Sequence, residues 1–130
     1  MQAREGEDIF FVERITRPDG TLHVPADFGG ANPVRLRIYD RTATNPLTAV
    51  HSPADSAIAG VVVTPAVVDG LWEGRDSTGY NFIFRLLSAS FRPTGGKIYD
   101  VEFALTGTFN AVAIVKTVLF QVSVAPTGLV

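Results

Sequence analysis

The sequence predicts an all-β fold, a two-sheet antiparallel β-sandwich, and three observations carry that prediction. Residues 34–40, 80–86 and 99–105 each alternate along the chain with a period of two, the mark of a half-buried strand. Turn signals rich in Gly, Pro, Asp and Ser separate short β-branched runs at regular spacing. Helical periodicity is missing, and residues 86–91 suffice for one helical turn at most.

Each element follows from its residues. Residues 1–8 are polar and predict a loose N-terminal arm. Ile9-Phe10-Phe11-Val12-Glu13-Arg14-Ile15 predicts the first strand. Arg17-Pro18-Asp19-Gly20 is a turn, since Pro fixes φ and Gly accepts positive φ. Residues 21–24 predict a short return strand, and residues 26–32 a loop. In residues 33–40, Val34, Leu36 and Ile38 face inward and Arg35, Arg37 and Tyr39 outward. Residues 41–56 form a connection longer than usual, with an edge strand at 48–51 or an interaction loop. Residues 60–64 and 66–68 are β-branched runs broken by Pro65, which implies a bulge, a sheet edge or a switch between sheets. Asp69-Gly70 signals a hairpin leading to a short strand at 71–73, and residues 75–79 a turn. Tyr80, Phe82, Phe84 and Leu86 share one face of the next strand. Strands at 97–106 and 111–124 follow, the latter straight or bent at its middle, and residues 125–130 form a C-terminal arm.

The segment Gly95-Gly96-Lys97-Ile98-Tyr99-Asp100-Val101 refines the architecture. A glycine turn followed by Tyr-x-Val opens the penultimate strand of many immunoglobulin-like sandwiches, where the tyrosine forms a corner. Val101 stands where an antibody domain has its buried cysteine. With about seven to nine strands, this favours an immunoglobulin-like Greek key over the alternative, a jelly roll.

Length and composition bound the function. The 130 residues make one domain, 1–130, large enough for a single core. Without cysteine there is no disulfide, no thiolate nucleophile and no Cys-based zinc site. A net charge of −2 argues against electrostatic attraction to nucleic acid. No run of 18 apolar residues marks a membrane helix. The polar opening lacks the apolar stretch of a signal peptide, so the chain is expected complete as written and without a secretory address. Charged residues make up only 18% of the chain, and mean hydropathy is +0.22. So little charge on a small domain implies that part of the surface is covered by a partner or by further copies.

The search for chemistry predicts no catalytic residue, no cofactor and no metal. His23 and His51 lie far apart, and neither has an Asp or Glu at ligand spacing. Asp69, Glu73 and Asp76 form an oxygen-rich stretch, but it departs from the EF-hand pattern and its aspartates suit turn capping. No nucleophile elbow, Walker loop or dinucleotide glycine fingerprint occurs. The aromatic residues say more. Alternation assigns Phe82, Phe84, Phe103 and Phe120 to the core. Phe28, Phe91 and Phe109 lie in or near loops; they either plug the ends of the sandwich or anchor a partner. Trp72 is either a core lid or, with Tyr80, a sugar-stacking platform.

Val34-Arg35-Leu36-Arg37-Ile38-Tyr39-Asp40, Leu71-Trp72-Glu73, Gly79-Tyr80-Asn81-Phe82 and the Gly95–Phe103 stretch carry a resemblance. Over residues 34–124 the chain resembles the immunoglobulin-like β-sandwich modules of tailed-bacteriophage virion proteins. The resemblance implies a non-enzymatic structural protein, first of all a capsid decoration (cement) protein found in the virion and made in the host cytoplasm. It implies contact with the major capsid protein or another virion protein, and self-association into a homo-oligomer, a trimer before a dimer because capsid lattices offer threefold sites. A tail or baseplate connector or fibre module is the alternative within that class. A carbohydrate-binding module is the alternative outside it.

Overall fold

The computed structural model describes residues 1–126; the predicted C-terminal arm lies, from residue 127 on, outside the described residues. Among the described residues seven strands form: β1 (Gln2–Arg4), β2 (Ile9–Glu13), β3 (Val34–Asp40), β4 (Val62–Val67), β5 (Tyr80–Leu86), β6 (Ile98–Phe109) and β7 (Val112–Ala125). They build a four-stranded sheet, β1-β7-β6-β3, and a three-stranded sheet, β2-β5-β4. The chain crosses between the sheets at β1–β2, β2–β3, β3–β4 and β5–β6, while β4–β5 and β6–β7 stay within one sheet, and all pairings are antiparallel except β1 with β7. This is the Greek-key order of an immunoglobulin-like sandwich with its first strand moved beside its last.

The inner faces meet as the alternation requires. Val34, Leu36 and Ile38 of β3 and Tyr99, Val101, Phe103 and Leu105 of β6 are all buried. Phe103 is completely buried and has the rings of Phe11, Phe82, Phe84 and Phe120 around it at centroid distances of 4.9–6.0 Å. The tyrosine corner forms too: the Tyr99 hydroxyl accepts a hydrogen bond from the Thr94 backbone N–H at 2.9 Å.

Several local expectations need correction. Residues 1–8 are not a loose arm. β1 pairs in parallel with the end of β7, and the Glu5 carboxylate accepts from the Gly95 N–H. Asp8 accepts from Arg85 and from the Ser88 N–H. Residues 21–24 make one bridge, Thr16 to Leu22, rather than a strand. Residues 48–56 run along β3 and touch it only at two bridges, Ile38 to His51 and Val34 to Ser56. Residues 71–73 do not form a strand after a hairpin. Gly70–Trp72 is a 3-10 turn whose start is capped by Asp69, which accepts from the Leu71 N–H. Tyr80 leaves the inner face expected for it and joins Trp72 and Val12 in a second cluster. The β4–β5 register shifts around Pro65, and the Tyr80 hydroxyl finds its acceptor outside the main core, on Asp69 at 2.8 Å. The Pro65 break thus lies at a bulge on an edge strand.

β6 and β7 are the longest strands and run on past the rest of the sheet. Their two-residue turn, Asn110-Ala111, holds both residues at positive φ, 51° and 61°, the twist that tight hairpins favour.

Candidate interaction surface

The outer face of the four-stranded sheet carries a surface that the core does not require. In β7, even-numbered Val118, Val122 and Val124 face inward and are buried. Strand alternation therefore sends odd-numbered side chains outward. There the chain places Val115 and Leu119, 66% and 68% exposed, on either side of Thr117. Val112, at the hairpin tip, is also exposed. Beside this strip, β6 presents Asp100 and Glu102, and β3 presents Arg35. Arg41, just past β3, grips Asp100 through two hydrogen bonds of 2.5 and 3.1 Å. Arg35 lies 3.6 Å from Glu102. A depression of about 410 Å³ lies between Tyr39, Arg41, Asp100, Leu119 and Gln121. The face thus consists of an apolar strip flanked by acid–base pairs already closed within the chain. It is suited to contact with another protein.

The aromatic candidates separate on this structure. Phe28 is buried in the main core, 4.9 Å from the His23 ring, so it plugs the sandwich and is not an exposed anchor. Trp72 is likewise buried and acts as a lid over the outside of the three-stranded sheet. The Arg75 guanidinium covers its ring at 4.3 Å, which leaves no platform for a sugar. Phe91 is half-buried and packs edge-on to Tyr99 at 5.5 Å and against His51 at 5.1 Å. Phe109 is the last residue of β6, beside the Asn110-Ala111 turn, and the Arg17 guanidinium lies 5.3 Å from its ring. The structure brings none of the four onto the apolar strip.

Two polar clusters serve the fold. His23 does have a carboxylate within reach, contrary to the expectation from spacing. The short turn Pro25–Asp27 places Asp27 four residues on, and its Oδ2 lies 2.8 Å from His23 Nδ1. Asp27 also accepts two hydrogen bonds from Arg17, which hold its carboxyl well below the usual carboxylate range despite partial burial. Gly107 lets β6 pass hard against the backbone of Asp27 and Phe28; a Cβ there would collide with it. The buried Asn81 side chain joins this cluster by donating to the backbone carbonyls of Ile15 and His23.

The second cluster occupies the oxygen-rich stretch. Asp76 Oδ1 accepts from the Arg14 guanidinium, from Trp72 Nε1 and from the Thr78 and Gly79 N–H groups. The Arg14 contact dominates and lowers the Asp76 carboxyl to about 2. Burial and the Asp69 carboxylate push the Tyr80 hydroxyl up to about 12. These acids cap turns and pair with cations; among the described residues no three His, Asp or Glu side chains converge as a metal site.

Sequence reasoning missed the β7 strip, although a signal existed. From Val112 to Phe120 both faces are mostly apolar, a pattern expected of a strand covered on both sides. In a two-layer sandwich one of those faces has no layer above it. Against family models, curated proteins and solved structures, the chain finds no match.

Proposed function

We propose that this chain is a non-enzymatic structural protein that docks on a protein lattice, with a virion decoration protein as the specific form. The observation that carries this reading is the Val115–Leu119 strip on the outer sheet face, beside ion pairs that need no partner of their own. The low charge noted in the sequence is consistent with a covered surface. The resemblance to bacteriophage sandwich modules supplies the class of lattice, the major capsid protein. Docking repeated by symmetry would let a small patch hold firmly, because many weak contacts on one particle add up. The burial of Trp72 and Tyr80 weighs against the sugar-binding alternative, which takes them as its platform.

Co-sedimentation with undecorated capsids tests the proposal. The wild-type chain should pellet with particles at a saturating ratio. Val115→Asp with Leu119→Asp should abolish pelleting while leaving the folded far-UV spectrum unchanged. Binding to isolated tails or baseplates and not to capsids would move the proposal to the connector alternative. Binding to no virion part would overturn it.

A further inference from the structure

We infer that the free edge of β7 pairs with the same edge of a second copy, in antiparallel register about a twofold axis at Thr117. This names a first partner within the assembly reading. It needs no capsid, so either reading can fail without the other.

The edge itself is defined by hydrogen bonds. At the end of β7, the Ser123 N–H donates to the Met1 carbonyl, and the Ala125 carbonyl accepts from the Glu5 N–H. Odd-numbered residues there direct their backbone groups away from β6. Val124 does the opposite: its N–H donates to the Lys97 carbonyl, and its carbonyl accepts from the Gly96 N–H. The β6–β7 register runs unbroken from Val112 to Ser123. Alternation therefore points the N–H and C=O groups of Ala113, Val115, Thr117, Leu119 and Gln121 outward along the edge. β1 covers only Gln2 to Arg4 against Ser123 to Ala125. Among the described residues, no backbone hydrogen bond from another segment reaches those five.

Other edges are blunted. β4 carries Pro65 and a register shift. β3 is partly covered by the bridges at His51 and Ser56. β2 is short. β7 has none of these devices along its free stretch: no proline, no bulge, and Lys116 as its one charged residue. Lys116 points inward, and its Nζ donates to the Thr16 carbonyl at 3.3 Å. Open edges of this length and apolar character are templates for another strand.

A second copy is the occupant because the edge is complementary to itself. The free stretch begins at the hairpin tip, Val112, and ends at Val122, where β1 takes over. Its midpoint is Thr117. Antiparallel pairing about that point sets Ala113 opposite Gln121 of the second copy, Val115 opposite Leu119, and Thr117 opposite Thr117. Each such pair exchanges two backbone hydrogen bonds. Shifting the axis to residue 116 would set Lys116 against Lys116 of the second copy and use less of the edge; shifting it to residue 118 runs into β1. At Thr117 the Val115–Leu119 contacts are apolar cross-strand pairs. Charges near the seam are already closed within each copy, Asp100 on Arg41 and Glu102 on Arg35. The two outer sheet faces then merge into one, with both apolar strips side by side at its centre.

Nine residues of seam span roughly 30 Å at about 3.3 Å per residue. A strip of that length and about 10 Å height covers roughly 300 Å² of contact plane, less than the ~800 Å² per partner of a standard interface. The dimer should therefore be concentration-dependent.

Sedimentation equilibrium of the full chain from about 1 μM to about 1 mM, with amide exchange read residue by residue, tests the pairing. The expected result is a monomer–dimer equilibrium in which the Val115, Thr117 and Leu119 amides become protected as dimer forms. Val118 and Val122 amides should be protected throughout. Thr117→Pro removes an N–H that the monomer does not use, as an edge strand tolerates. It should weaken dimerisation by about tenfold or more, equivalent to about 1.4 kcal/mol. Val115→Lys with Leu119→Lys should do the same and serves if the proline variant does not fold. A monomer up to about 1 mM, or a dimer whose odd-numbered β7 amides still exchange freely, overturns the inference.

Discussion

Phe103→Ala tests whether the inward alternation of β6 is the axis of the core. Phe103 is fully buried and touches aromatic rings from β2, β5 and β7. Truncating a buried phenylalanine costs about 3–5 kcal/mol through lost burial and the cavity left behind. Here the upper part of that range applies, because its ring neighbours lose edge-on and tilted contacts at once. For 130 residues, an unfolding entropy of about 2.1 cal/mol/K per residue gives roughly 0.27 kcal/mol per degree. A loss of about 4–5 kcal/mol then lowers Tm by roughly 15–18 °C. The control is Glu102→Ala on the neighbouring residue. Glu102 is one-third exposed and its partner Arg35 half-exposed, so the change should stay under about 1 kcal/mol. Urea titrations followed by circular dichroism measure both. The m-values should match, since the surface exposed on unfolding hardly changes. Equal destabilisation by the two substitutions would mean that the strand faces the other way and would refute the register.

Four further outcomes follow from the same structure. Ala111→Gly should raise stability by about 1 kcal/mol in thermal unfolding, because Ala111 sits at φ 61°, where glycine is unstrained. Asp27→Ala should cost about 2–4 kcal/mol, since it strands buried His23 and the Arg17 guanidinium; a change under about 0.5 kcal/mol would reject that cluster as structural. The Asp76 carboxyl sits at about 2 against 3.8 unfolded, so its contribution is full above 3.8 and lost as pH falls through about 2. Trp72 emission should thus hold steady from about pH 7 to about pH 4 and shift to the red below about pH 3, with no transition there in Asp76→Ala. Deleting residues 1–8 should lower Tm by several degrees, because β1 and the Asp8 contacts hold β7 and β5; unchanged unfolding would restore the loose arm.

Strands whose pattern obeys one rule were legible. β3 and β6 alternate apolar inward, β5 does so from Phe82 on, and each forms close to where the pattern places it. Pro65, which cannot donate to a ladder, left a bulge, an edge or a switch between sheets open, and the chain uses the first two. The failures lie where distant partners decide. β1 is polar and three residues long, and only the length of β7 gives it something to pair with. Asp69-Gly70 has the composition of a hairpin, yet Asp69 caps a 3-10 turn because Tyr80 and Leu71 both need its oxygens. Phe28 looked like a loop aromatic. Its burial depends on Gly107, seventy-nine positions away in the chain, leaving room for the turn that carries it. The surface strip was hidden by its own quality as a strand, since an apolar outward face reads like an inward one until the layers are known.

The exposed apolar residues are not evenly spread, and their placement bears on the symmetry of any assembly. Leu47, Val68 and Leu87 are exposed singly on connections, as is ordinary for a soluble surface. Val115 and Leu119 are exposed together, four residues apart on one face of a strand whose backbone edge is also open. A threefold ring would need β7 to meet a different and complementary surface on its neighbour. The remaining strand edges offer a poor match, being blunted by Pro65, shortened or bridged. A twofold contact needs only β7 itself, in the one register that uses its whole free length and keeps Lys116 from facing Lys116. On the twofold pairing inferred above, the unit the chain builds alone would be a dimer, and the trimer expected from lattice geometry would need the lattice itself to supply a threefold contact. A lattice that receives such a unit must present it a twofold site, or engage only half of its merged face.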